Sequence, residues 1–222
     1  MPSLALAEIP AGWPLAATAY LAPVQYYAHL YAAGGAVEDV CEHYAKQTYR
    51  NRCYIATPAG PQALTVPVER GDASHTAVRD IRLSGHGDWR RHHWTALVSA
   101  YEGSPFFEYC ADDFHAVYAR GYKYLVDFND ALRSVVLDIL QLSRPVRRAE
   151  RYIPPDDVPP GTVDLRALVT PKRRAEDDPR FRPVPYYQVF TGRTGFLPNL
   201  SIVDLLFNMG QESRLVLRDS LR

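Results

Sequence analysis

Apolar and polar positions along the first seventy residues fall into short runs with a strand-like period, broken by Gly and Pro. "ATAYLA" reads as a strand, and Pro23 opens a helix, "VQYYAHLYAA", which Gly34 and Gly35 end. "AVEDVCEHY", "NRCYIAT" and "ALTVPV" follow as strands, the last two joined by a turn at "PAGPQ". "VRDIRLS" alternates with period two and adds an edge strand.

From Asp88 the period becomes helical. "DWRRHHWTALVSAYEGS" sets Trp89, His93, Leu97 and Ala100 on one face, with Asp88 as N-cap. Ser104-Pro105 opens a second helix, and Asp127 or Asn129 a third, "ALRSVVLDILQL". "PYYQVF" returns as a late strand, and Ser201 and Asp204 have capping-box spacing ahead of a final helix. The pattern predicts an α+β (or α/β) chain. Its mixed sheet of about five strands comes from the N-terminal half and the late strand. Helices from residues 88–142 and the C-terminus pack on it. Residues 1–15 read as a loose leader and 16–222 as one domain with an excursion at 144–185. That excursion holds nine of the eighteen prolines, ten Lys or Arg and seven Asp or Glu. Such composition buries little apolar surface, so much of it is expected to be mobile loop.

Lysine and arginine balance aspartate and glutamate at 25 each. A nucleic-acid binder carries a basic excess, and this chain has none. No run reaches the ~18 apolar residues of a membrane span. The three cysteines, Cys41, Cys53 and Cys110, match no metal-ligand spacing and fit reduced thiols in a cytoplasmic protein. No metal or cofactor is expected. There is no Gly-rich phosphate loop and no G-x-S-x-G elbow.

The candidate chemistry centres on "KQTYRNRCYI". On a strand, Arg50, Arg52 and Tyr54 share a face opposite Asn51, Cys53 and Ile55. Two guanidiniums two residues apart can grip one phosphate or carboxylate bidentately, with Lys46 as a third contact. The competing reading pairs each arginine with a local acid such as Glu42. Seven of the fifteen tyrosines, Tyr20 and Tyr54 among them, lie near this cluster and offer surfaces for stacking on a sugar or base. His92 and His93 are candidate bases, about 100° apart on their helix. His93 shares its face with Trp89 and Leu97, which suits a core residue, and His92 is the freer of the two. Lys172, in "TPKRR", is placed to close over an anion from the excursion.

Taken in order, "TAYLAPVQYYAHL", "EHYAKQTYRNRCYI", "LTVPV", "DWRRHHWTALVSAYEGSPFFEYC" and "YYQVFTGRTGFLPNLSIVDLLFNMG" resemble the WbqC-like protein family. The resemblance covers nearly the whole chain from about residue 18. It implies a link to bacterial surface-glycan (O-antigen-type, lipopolysaccharide) synthesis, and brings no settled mechanism. Acyl or aminoacyl transfer to a nucleotide-linked amino sugar fits that setting. Many relatives carry a His-Gln-Pro run where this chain has Ala17-Thr18-Ala19. The alternatives are a non-catalytic binding protein for an anionic metabolite, or a scaffold without chemistry.

Overall fold

In the computed structural model of the chain, residues 9–69 and 75–222 are described, so part of the expected leader, residues 1–8, lies outside them. The architecture is mixed α+β. Strand β1 (Leu15–Ala16), helix α1 (Val24–Ala32) and strand β2 (Ala36–Glu38) form a βαβ unit. Strands β3 (Arg52–Thr57) and β4 (Gly60–Thr65) form an antiparallel hairpin pairing Arg52 with Thr65 and Cys53 with Leu64. Helices α2 (Trp89–Tyr101), α3 (Phe107–Ala119) and α4 (Leu125–Ile139) follow, and then β5 (Val146–Arg148). β5 pairs parallel with β2, giving a three-stranded sheet of order β1-β2-β5. The chain continues through α5 (Leu165–Leu168), α6 (Thr191–Thr194), α7 (Ile202–Met209) and α8 (Ser213–Asp219).

The core follows the helical periods. On α4, Leu125, Phe128, Leu132 and Val136 recur on one face and are all buried. Helix α7 is buried from Ile202 to Asn208, as expected of a segment apolar on most sides. The inward side chains of the hairpin, Cys53, Ile55 and Leu64, join the same core as Tyr20, Leu97, Phe114 and Phe207. A smaller cluster of Ile9, Leu15, Val37, Ala149 and Ile153 covers the parallel sheet.

Four expectations need correction. Among the described residues the strands divide between two sheets instead of forming one. "ATAYLA" is not a strand: β1 lies just before it, and within it Tyr20 N–H bonds the Tyr49 carbonyl and Leu21 turns at φ +42°. "VRDIRLS" forms a 3-10 turn at Val78–Asp80 and then only isolated bridges, such as Val68 to Leu83. "PYYQVF" joins no ladder. Its polar groups turn to Asp204, which accepts from the Tyr186 hydroxyl at 2.7 Å and Gln188 Nε2 at 2.8 Å. That carboxylate also accepts from the Tyr101 hydroxyl, so Asp204 is a buried hub and not a helix cap.

The excursion is mostly irregular backbone, as its composition predicts, yet it is tied to the body. Ile153, Leu165, Val169 and Phe181 are buried. Arg166 reaches Asp39 at 2.6 Å, and Asp178 accepts from His29 Nε2 at 2.7 Å and Gln25 Nε2 at 2.9 Å.

Candidate functional site

The loop that climbs from β2 into the hairpin is built around acids. Asp39 accepts the backbone N–H groups of Cys41, Glu42 and Ile153 as well as Arg166. Glu42, thus placed, takes Arg50 bidentately, Nε at 2.8 Å and Nη2 at 2.6 Å. Both partners are buried, and burial raises the Glu42 pKa although Arg50 opposes it. Arg50 is therefore a structural ion pair turned inward, the local-acid alternative weighed above.

Arg52 goes elsewhere. It is half-buried on the hairpin, and its Nε donates to Thr65 Oγ1 at 3.0 Å. No carboxylate pairs with it among the described residues. Lys46 is exposed and likewise unpaired among them, with Gln47 beside it in left-handed backbone at φ +59°. Asn51 is buried and donates from Nδ2 to the Val66 carbonyl, just past the end of β4. Tyr54 is half-buried and meets Tyr49 edge-on, ring centres 6.3 Å apart. The structure thus groups Arg52 and Tyr54 on the hairpin, and separates Arg50 from Arg52.

Tyr20 is fully buried. Its hydroxyl lies 2.9 Å from His93 Nδ1 and 2.5 Å from the Tyr118 hydroxyl. The Thr65 backbone carbonyl also hydrogen-bonds the His93 ring. Burial pushes the His93 pKa down to about 4, helped by His92 and opposed by that carbonyl. His93 is a buried core residue whose Nδ1 is engaged by Tyr20. His92 lies exposed on the same helix. Lys172 is exposed on the excursion between α5 and Asp178. Cys53 is fully buried, and burial drives its thiol pKa upward, which suits packing and not nucleophilic attack.

Two residues beyond Thr65 a cavity of about 690 Å³ opens, lined by Pro67, Val68, Glu69, Ser84, Gly85 and His86. The Ser84 N–H to Pro67 carbonyl bond, 2.9 Å, joins the two stretches that line it. Trp89 Nε1 donates to the Ser84 carbonyl, and the Trp89 ring meets His93 at 5.4 Å, so the cavity is tied to the start of α2. Sequence reasoning missed this cavity, since nothing local in "VPVE" or "LSGHG" announces that the two stretches meet.

Among the described residues no cluster of three His, Cys, Asp or Glu is placed to hold a metal ion. No helix among them is long and apolar enough to cross a membrane.

The hairpin, the cavity and helices α2 to α4 all fall within residues 19–164, which match the model of the WbqC-like protein family. The chain belongs to that family. It is also similar to the uncharacterized protein Rv1507c of Mycobacterium tuberculosis, 29% identical over 191 residues, covering 77% of this chain and 81% of that protein. No solved structure matches it.

Proposed function

We propose that this protein binds a phosphorylated, nucleotide-linked amino sugar in the cytoplasm for surface-glycan synthesis and passes an acyl or aminoacyl group to the sugar amine. The observation that carries the reading is Arg52. Among the described residues the Arg52 guanidinium meets only a hydroxyl, at Nε, which leaves its terminal nitrogens to grip a phosphate in the bidentate way guanidiniums favour. Lys46 adds an exposed cation upstream, and Tyr54 a flat surface for sugar or base. The adjoining cavity falls in the range of roughly 300–1,000 Å³ usual for small-molecule sites. Lys172 adds a further cation if the excursion folds over the ligand.

In the transfer, the sugar amine attacks the acyl carbonyl. The new C–N bond forms as the bond to the donor's leaving group breaks, and the amine proton passes to His92. His92 takes this role because it is exposed, whereas His93 is buried with Nδ1 hydrogen-bonded to Tyr20. Binding without chemistry is the second reading. It is favoured by the lack, among the described residues, of a carboxylate that orients the His92 ring.

A thermal-shift panel tests the proposal, with nucleotide-linked amino sugars, free nucleotides, acetyl-coenzyme A, glycine and phosphate. A ligand at 100 times its dissociation constant adds about 2.7 kcal/mol, or roughly 5–10 °C for a chain of this size. The expected result is a shift from a nucleotide sugar that Arg52→Ala abolishes. Silence from a folded protein overturns it. A shift that survives with no transfer, in both the wild type and His92→Ala, leaves the binding reading standing.

A further inference from the structure

Far along the chain from the hairpin, "SPFFEYC" and "LLFNMG", two of the stretches that carry the resemblance, meet on one surface. Phe106 N–H bonds the Phe207 carbonyl at 2.9 Å, which brings the start of α3 against the end of α7. Gly210 sits beneath the Phe106 ring in left-handed backbone, φ +53°. A Cβ there would lie 2.6 Å from that ring, so only glycine lets the ring rest on the backbone. Phe106 is thereby held on the surface at 37% exposure, and Tyr109, one turn on, stands at 81%. Their rings lie 6.4 Å apart. With Ile139 and Met209 they line a groove of about 620 Å³.

The rim is acidic: Asp138 and Glu212 line the groove, and among the described residues no lysine or arginine does. Glu108 is exposed between the two aromatic residues. Aromatic anchors in a groove bordered by one sign of charge are the arrangement by which proteins take up an amphipathic helix. We propose that this groove docks a cationic amphipathic segment of a partner protein, its apolar face on Phe106 and Tyr109 and its Lys or Arg against Asp138 and Glu212. The site is independent of the anion site on the hairpin, because it selects the opposite charge.

The test uses the full chain and two fluorescein-labelled 18-residue peptides. One has Leu and Lys at helical spacing, and the other replaces every Lys with Glu. Anisotropy should give saturable binding of the Lys peptide, weakened on raising the salt, and little binding of the Glu peptide. Tyr109→Ala should weaken it about ten-fold or more, as truncating a desolvated aromatic anchor does at such sites. Asp138→Lys with Glu212→Lys should reverse the preference toward the Glu peptide. These side chains are exposed, so unfolding is not expected, and an unchanged melting midpoint checks that. Three results overturn the proposal. They are equal binding of both peptides, indifference to the variants, and a dimer in sedimentation that Tyr109→Ala dissolves, which would make the occupant a second copy.

Discussion

An arginine buried against a glutamate and another, two residues on, that holds only a hydroxyl respond differently to truncation. Removing Arg50 leaves the Glu42 carboxyl buried without its partner. Breaking such a pair costs about 3–5 kcal/mol. Arg50→Ala should therefore lower the melting midpoint by roughly 6–20 °C. Arg52→Ala removes one bond to a hydroxyl at an accessible strand position and should stay within about 0.5 kcal/mol of wild type. Thermal denaturation of the two variants side by side checks this, and equal midpoints would refute the assignment of roles. The cationic cluster was legible in "KQTYRNRCYI", because three cations in seven residues need no fold to be noticed. Their division of labour was not. It depends on Asp39 placing Glu42, and no spacing rule reports which of two arginines an acid eight residues upstream will meet.

At the scale of elements, the long helices were readable because each carries its own period. Leu125, Phe128, Leu132 and Val136 mark α4 wherever it packs. Short strands carry no such mark. β1 and β2 have two and three residues, and they are strands only because they pair with each other and with β5. The excursion follows the same rule. Its prolines leave room only for short pieces such as β5 and α5, but a handful of distant side chains tie it down. Asp178 is the clearest of these, only 2% exposed and holding two partners on α1. Asp178→Ala strands buried Gln25 and His29 donors, at about 1–3 kcal/mol for each group left unsatisfied. Most of that loss should appear as local opening of the excursion. Trypsin acting at Lys172, Arg173 and Arg174 should then cut the variant several-fold faster than wild type under native conditions. Unchanged cleavage would mean that Val169 and Phe181 hold the segment by apolar contact alone.

Over the whole molecule, buried titratable groups set how stability answers to pH, and they pull in two directions. His93 has its pKa lowered to about 4, chiefly by burial, whereas an unfolded histidine titrates near ~6.5. The folded state then binds fewer protons between those values. The His93 contribution is whole above ~6.5 and is lost as pH falls toward 4, about 3 kcal/mol in all. His29 is also lowered by burial, against the pull of Asp178, and acts with the same sign. Glu38, Glu42 and Asp204 act oppositely, because burial raises their pKa values. Their folded forms hold protons better than the unfolded chain, so their contribution grows as pH falls through the raised values. The overall curve therefore mixes both signs and identifies no single group. A difference between two proteins does. His93→Gln keeps polar atoms near Tyr20 and Thr65 but cannot titrate. It should be less stable than wild type at pH 7, and that gap should shrink by most of ~3 kcal/mol at pH 4.5. Urea unfolding at the two pH values measures the gap. A gap constant with pH would mean that the imidazole titrates as it does in the unfolded chain, and the Tyr118–Tyr20–His93 chain of hydrogen bonds would then not exclude its charge.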